Sequence, residues 1–183
     1  MVVTILAEPR SGSSNLANWF YLNKNFTTLF IPSDPKSKWY KSESPKDYKY
    51  NTQHLLIKED YYHYKNYDEL INISNKIILL YRENFEEQIE SWTNAKFTNN
   101  WEKNWISKNI KDNKETSFFT ELKNSFKKQY LEKKYFNISY EELYYNNGFQ
   151  KIVDYLELDC VKNENFPYGQ KYRINVDTPN TLI

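Results

Sequence analysis

Short apolar runs alternate with helical segments along this chain, and no other feature of the sequence restricts the fold as strongly. Val2–Ala7 is a continuous apolar run that stops shortly before Pro9, which is typical of a strand buried on both faces. Similar strands are predicted at residues 27–31, 54–58, 76–81 and 135–138. Helical periodicity predicts helices at residues 14–23, 67–73, 83–97, 116–130, 140–146 and 149–156. Such alternation predicts an α/β fold in three layers, with a central parallel sheet flanked by helices.

The organisation of the chain predicts a single domain over residues 1–183, because no internal repeat or low-complexity linker divides it. Residues 32–51, which are rich in Lys, Ser, Tyr and Pro, are predicted to form one long loop. In a parallel sheet covered on both sides, ligands bind at the carboxyl ends of the strands. The segments that follow the predicted strands are therefore the candidate ligand sites.

The charge balance excludes several classes of partner. Lys plus Arg number 25 and Asp plus Glu number 24, so we expect neither a nucleic-acid nor a membrane partner. No apolar run approaches the ~20 residues that a spanning helix needs, and no secretory signal is visible, which predicts a cytoplasmic location. One Cys and two His argue against a zinc site or any multi-histidine metal site, so no metal is expected.

Arginine and glycine are rare in this composition. The chain has 23 Asn and 17 Tyr but only three Arg and three Gly. A rare residue is expected to persist where a substitute fails, as when a planar guanidinium must grip an anion in a bidentate way. Arg10 and Gly12 lie together after the first strand, Arg82 ends another strand, and Arg173 lies near the end of the sequence.

The segment after the first strand carries the chemistry of an anion site. It reads Glu-Pro-Arg-Ser-Gly-Ser-Ser-Asn over residues 8–15. Glycine lets the backbone turn so that N–H groups converge, and the N-terminus of the next helix adds partial positive charge. The Walker A pattern, with its Gly-Lys pair, is absent, which argues against an ordinary ATP or GTP loop. A plain strand-to-helix turn with Ser14 as the cap is the alternative.

A second candidate begins at Arg82. Asn84 and Glu87 form a capping-box pattern that predicts the start of a helix. One stripe of this helix is apolar and is expected to face the core, and it contains Phe85, Ile89 and Trp92. A polar stripe, which contains Asn84, Gln88 and Ser91, continues from the cap beside Arg82. Arg82, the helix N-terminus and Ser91 could therefore meet one phosphate group. The alternative is a surface helix with Arg82 paired to Glu86.

The segment at residues 9–16 resembles the phosphosulfate-binding loop of the sulfotransferase superfamily, which transfers a sulfuryl group from 3'-phosphoadenosine 5'-phosphosulfate (PAPS). The resemblance implies a P-loop-like fold and a single PAPS-dependent sulfotransferase domain without a metal. It implies that Arg10 holds 5'-phosphate and sulfate oxygens and that Gly12 permits the turn. The implied PAPS-binding residues of this loop are Arg10, Ser11, Gly12, Ser13, Ser14 and Asn15.

Three further segments match the family in the same order along the chain. Arg82 and Ser91 match the strand-terminal Arg and the helical Ser that bind the 3'-phosphate, although Ser91 is nine positions after the Arg rather than eight, and Asn84 replaces a common Pro. Tyr140 matches the Tyr of a Tyr-Glu-x-Leu segment that lies against the nucleotide. Arg173 matches the basic contacts that family members make near the C-terminus.

The catalytic residues implied by the resemblance are Lys58, Asp60 and His63. Lys58 matches the group that stabilises the bridging oxygen, and Asp60 stands where the cytosolic branch has a His. The general base is therefore Asp60 or His63, or, as in other branches, a carboxylate of the long loop such as Glu43 or Asp34.

The resemblance implies an acceptor with a hydroxyl or amine group, on a small molecule, a sugar or a peptide, and the sequence does not identify which. Two other functions stay open from the sequence: a nucleotide kinase-like phosphoryl transferase, and a catalytically silent nucleotide-binding module.

Overall fold

The computed structural model describes residues 1–23, 26–30, 53–61, 67–98, 113–131, 133, 135–146 and 148–158. The strands are β1 (Val2–Ala7), β2 (Thr27–Phe30), β3 (Leu55–Asp60), β4 (Lys76–Tyr81) and β5 (Phe136–Ser139). The helices are α1 (Ser13–Asn23), α2 (Tyr67–Ile73), α3 (Phe85–Thr98), α4 (Asn113–Phe126), α5 (Tyr140–Tyr145) and α6 (Gly148–Leu156). No described helix is long and apolar enough to cross a membrane. The loop predicted at residues 32–51 lies outside the described residues.

The five strands of the described part form one sheet in the order β2-β3-β1-β4-β5, and every neighbouring pair is parallel. This confirms the predicted α/β fold. From β1 the chain crosses toward the β2 edge, whereas from β4 it crosses toward the β5 edge. The carboxyl ends of β1 and β4 therefore flank a point where the strand order reverses, and such a crevice is the usual ligand site of an open parallel sheet.

Two apolar cores cover the two faces of the sheet, as the uninterrupted apolar runs require. Alternate residues of β1 point to opposite faces, so Ile5 packs in one core and Leu6 in the other. The first core is closed by α1, α5 and α6 through Leu16, Phe20, Leu143, Phe149 and Ile152. The second core is closed by α2 and α4 through Leu70 and Phe126. Each large apolar side chain buried in this way contributes roughly 1.5–3 kcal/mol of transfer free energy.

The boundary of β3 differs from the prediction in a way that matters for the site. The polar residues after Lys58 predicted a strand end, but β3 continues to Asp60 because Glu59 pairs with Leu6 and Asp60 pairs with Ala7 of β1. Lys58 and Asp60 therefore lie on the same face of one strand. Pairing with a buried neighbour strand outweighed the low strand propensity of charged residues.

The helix predicted at 116–130 begins earlier and ends differently. It begins at Asn113 and ends at Phe126, and a π-helical turn, Lys127–Leu131, follows it. The wider turn leaves Tyr130 buried with its ring 5.6 Å from that of Tyr61 and 5.8 Å from that of Tyr67. A regular 3.6-residue pattern does not predict such a turn.

Candidate active site

The loop between β1 and α1 adopts a backbone that few residues tolerate. Arg10 has φ 62° and Gly12 has φ 82°, both in the left-handed region. For a non-glycine residue such as Arg10 this conformation costs on the order of 1–3 kcal/mol, and such strain is concentrated at functional sites. The N–H and hydroxyl groups of Ser11 both donate to the Glu8 carbonyl, at 3.3 and 2.6 Å, which holds the turn closed.

The N-terminus of α1 presents donors at the mouth of this loop. The helix begins at Ser13, one residue before the predicted start, and the Gly12 carbonyl accepts hydrogen bonds from the Asn15 and Leu16 N–H groups at 3.1 and 3.2 Å. The N–H groups of Ser13 and Ser14 have no backbone acceptor among the described residues, as expected for the first turn of a helix. An anion at this point would accept hydrogen bonds from these N–H groups and would interact favourably with the helix dipole.

Two tyrosines of α5 close the back of the loop at Gly12. The Tyr144 hydroxyl donates to the Gly12 carbonyl at 2.8 Å. A Cβ atom on Gly12 would lie 2.7 Å from Cε2 of Tyr144 and 2.9 Å from Cδ2 of Tyr140. Burial raises the pKa of Tyr144 well above its ordinary value, and burial also raises the pKa of Tyr140 to about 12. Both phenols therefore stay protonated near neutral pH.

Arg10 and Ser91 come together although 81 residues separate them. The Arg10 Nε donates to the Ser91 Oγ at 2.9 Å, and only 5% of Ser91 is exposed. The nine-residue spacing from Arg82 therefore still directs Ser91 toward the first loop. The sequence predicted that the first loop and Ser91 bind opposite ends of a nucleotide. The structure brings the loop and Ser91 together in one site.

Arg82 is buried at the carboxyl end of β4, with 8% of its surface exposed. Its Nη1 donates to the Arg10 carbonyl at 3.4 Å, and its Nη2 lies 2.5 Å from the Glu87 carboxylate. The guanidinium carbon lies 4.5 Å from the centre of the Tyr140 ring, a cation–π contact. Its buried Nε has no hydrogen-bond partner among the described residues. The Glu141 carboxylate lies 3.9 Å from this Nε, too far for a hydrogen bond.

The start of α3 departs from the predicted capping box. The Asn84 side chain accepts a hydrogen bond from the Glu87 N–H at 3.2 Å, as a cap should. The Glu87 carboxylate does not return to the cap but pairs with Arg82, and the N–H groups of Glu83 and Asn84 donate to Glu141 at 3.0 and 3.1 Å. The N-terminus of α3, predicted to meet a phosphate, thus holds a carboxylate of α5.

Two of the three residues in the polar stripe of α3 are buried. Gln88 is 1% exposed and Ser91 is 5% exposed, whereas Phe85 and Ile89 of the predicted core stripe are only half-buried. Trp92 alone of that apolar stripe is buried, and its indole N–H donates to Glu115 at 2.7 Å. The helix therefore turns its polar stripe toward the first loop, where the Gln88 amide donates to the Pro9 carbonyl at 2.8 Å.

Glu8 is a site residue that the sequence search missed. Its side chain is almost fully buried, and one oxygen accepts hydrogen bonds from the Arg82 N–H and the Gln88 amide, both at 3.2 Å. Lys123 of α4 lies 3.6 Å from the same oxygen and also donates to the Arg82 carbonyl. Glu8 thus joins the first loop, β4, α3 and α4. The sequence feature that could have identified Glu8 is the position of its carboxylate directly after a buried strand.

Burial outweighs these contacts in setting the charge of Glu8. Desolvation raises its pKa above the ordinary 4.5 despite the opposing effects of Lys123, the Arg82 N–H and Gln88. The folded protein therefore holds this proton more tightly than the unfolded chain. The resulting stability is present below the ordinary pKa and is lost as the pH rises through the raised one.

We expect Glu8→Gln to become relatively more stable than the parent protein as the pH rises from about 4 to about 8, since each unit of raised pKa corresponds to about 1.4 kcal/mol. Denaturant unfolding of both proteins across this range measures the difference. Glu86→Gln, which removes an exposed carboxylate of α3, is the matched control and should show a nearly flat difference. A difference for Glu8→Gln that is equally flat would contradict the buried-carboxylate argument.

Lys58 and Asp60 form a buried ion pair beside β1. The Lys58 Nζ lies 2.7 Å from the Asp60 carboxylate, and the two side chains are 3% and 13% exposed. Asp60 is the register partner of Ala7, the last residue of β1 before the loop. Both groups are therefore near the mouth of the anion site.

The remaining predicted site residues lie outside the described residues. They are His63, Arg173 and the alternative bases Glu43 and Asp34. Within the described part of the chain, no group of three or more His, Cys, Asp or Glu residues could hold a metal ion.

Comparison with solved structures gives a match at the level of the fold. No family model and no curated protein matches the sequence. The fold is similar to that of mouse sulfotransferase SULT7A1 in a crystal structure complexed with PAP, with a TM-score of 0.51 and 16% sequence identity. The alignment covers 87% of this chain and 59% of that one, so the chain spans little more than half the length of its match. At this identity the similarity shows the three-layer, P-loop-like α/β fold alone.

Proposed function

We propose that this chain is a PAPS-dependent sulfotransferase that acts in the cytoplasm and moves a sulfuryl group to a hydroxyl or amine of a small molecule, sugar or peptide. One observation carries the proposal. Two buried or half-buried arginines from separate segments, Arg10 and Arg82, converge with Ser91 where the strand order reverses. Two anion-binding points in one crevice suit a nucleotide with phosphates at both ends.

The first point is suited to the 5'-phosphosulfate. An anion bound at the first loop would accept hydrogen bonds from the N–H groups of Ser13 and Ser14 and from the Arg10 guanidinium. It would also lie at the positive end of the α1 dipole. The second point is suited to the 3'-phosphate, which would meet Arg82 and Ser91. Tyr140, whose ring centre lies 4.5 Å from the guanidinium carbon of Arg82, would lie against the nucleotide.

In the proposed reaction the acceptor oxygen attacks sulfur and the bond from sulfur to the bridging phosphate oxygen breaks. The acceptor proton passes to a base, Asp60 or His63, and adenosine 3',5'-bisphosphate (PAP) leaves. Lys58, released from Asp60, would stabilise charge on the bridging oxygen. No step requires a metal.

A phosphoryl transferase is the less supported function. It would need a phosphate-loop lysine and a Mg²⁺-binding carboxylate, and residues 8–15 contain no lysine. A catalytically silent nucleotide-binding module is the other alternative function.

We expect PAP to bind at least tenfold more tightly than 5'-AMP without a metal, because contacts of Arg82 and Ser91 to the 3'-phosphate are charge-assisted and each is worth about 1.5–3 kcal/mol. Calorimetric titration with PAP, 5'-AMP and ATP with Mg²⁺ measures this. Equal affinity for PAP and 5'-AMP would remove the second binding point, and a preference for ATP would favour the phosphoryl transferase. A sulfate-transfer screen on phenols, sugars and peptides then separates an enzyme from a silent module.

A further inference from the structure

The guanidinium of Arg82 already has two carboxylates beside it. Glu87 of α3 lies 2.5 Å from Nη2, and Glu141 of α5 lies 3.9 Å from Nε. Both come from the chain itself, and both face the group that the proposed function assigns to the 3'-phosphate. A ligand phosphate at this point must therefore compete with the protein's own negative charges.

The arginine is held more firmly than its partners. Its N–H donates to Glu8, its carbonyl accepts a hydrogen bond from Lys123, and its guanidinium stacks on Tyr140. With a side chain only 9% exposed, Arg82 has little freedom to turn toward a ligand. A ligand phosphate must therefore bind Arg82 in its present position and displace one of the two carboxylates.

The two carboxylates differ in how readily they can leave. The Glu141 side chain is 24% exposed and accepts hydrogen bonds from the N–H groups of Glu83 and Asn84. The Glu87 side chain is 50% exposed, and Arg82 is its one hydrogen-bond partner among the described residues. Release of Glu141 would expose two backbone donors, whereas release of Glu87 breaks a single ion pair and returns the carboxylate to water.

We propose that Glu87 is the internal competitor that a ligand's terminal phosphate displaces from Arg82, and that it thereby determines which anions this point accepts. The inference rests on the proposed function, because it takes the 3'-phosphate as the displacing group. A phosphate monoester carries about −1.5 to −2 charges near neutral pH, so it gains more at Arg82 than a carboxylate does. A singly charged group offers no such advantage and is rejected.

The inference is tested by Glu87→Gln with Glu86→Gln as the matched control. Both variants remove one carboxylate from the first turn of α3, but Glu86 makes no described contact with Arg82. We expect Glu87→Gln to bind PAP about two- to fivefold more tightly, the range for losing one partly exposed competing ion pair. Affinity for 5'-AMP, which has no 3'-phosphate, should not change, and Glu86→Gln should behave like the parent protein.

Each contrary result has its own meaning. Unchanged PAP affinity in Glu87→Gln, with a normal melting temperature, would overturn the inference and leave the proposed function standing. An equal gain in both variants would show a general charge effect and also overturn it, as would a gain for 5'-AMP. If the parent protein and both variants bind no PAP, the proposed function itself fails, and the inference fails with it.

Discussion

Gly12→Ala is expected to lower the free energy of unfolding by about 2–6 kcal/mol and to abolish nucleotide binding at concentrations that saturate the parent protein. Alanine must adopt the left-handed backbone of this position, at φ 82°, which costs on the order of 1–3 kcal/mol. Its Cβ would also lie 2.7 Å from the Tyr144 ring, and overpacking of this kind costs typically 1–3 kcal/mol. The loop or α5 must shift, and either movement disturbs the donors at Ser13 and Ser14.

Denaturant unfolding and PAP calorimetry on the same protein measure both effects. Ser14→Ala is the control for stability, because the Ser14 side chain is exposed in the first turn of α1 and its removal should cost less than about 0.5 kcal/mol. If Gly12→Ala were as stable as the parent protein and bound PAP equally well, the turn would not depend on glycine.

Asp60→Asn is expected to reduce sulfuryl transfer at least about 100-fold, the lower end of general-base contributions, while PAP affinity stays within about twofold. The base would contact the acceptor and not the phosphates of the donor, so catalysis and donor binding should separate. Initial rates at saturating PAPS, together with calorimetry of PAP, measure the two quantities.

The stability of this variant needs its own control. Asn can accept a hydrogen bond from the Lys58 ammonium, which lies 2.7 Å from the carboxylate in the parent protein, but it cannot neutralise the buried charge. Breaking a buried ion pair costs about 3–5 kcal/mol. Adding Lys58→Met should restore much of that loss without restoring activity.

Two further variants decide the outcome if Asp60→Asn stays active. An inactive His63→Ala would identify His63 as the base. The sulfuryl-transfer rate of the parent protein should then fall as the pH drops through about 6.5. An inactive Glu43→Gln would place the base in the long loop. Activity in all three variants would contradict general-base catalysis by these residues.

Local patterns were sufficient to predict the layers of this fold and the turn between β1 and α1. Uninterrupted apolar runs require a sheet covered on both faces, because no face of such a strand can be left in water. Gly12, a rare residue type after the first strand, indicated a tight turn, and its φ is positive. The positive φ of Arg10 was not predicted. The sequence also predicted Ser139 as the cap of α5, and the Ser139 hydroxyl accepts a hydrogen bond from the Glu142 N–H at 3.1 Å.

The sequence did not predict which charged groups pair, because these pairs form only when the strands and helices pack together. Arg82 pairs with Glu87 and Glu141 rather than with Glu86, and Glu8 meets Lys123 across more than 100 residues of sequence. Periodicity reports which face of an element is apolar, but strand order and register decide which charges become neighbours. Burial then decides their energies, because desolvation of Glu8 and the pairing of Lys58 with Asp60 depend on what covers them.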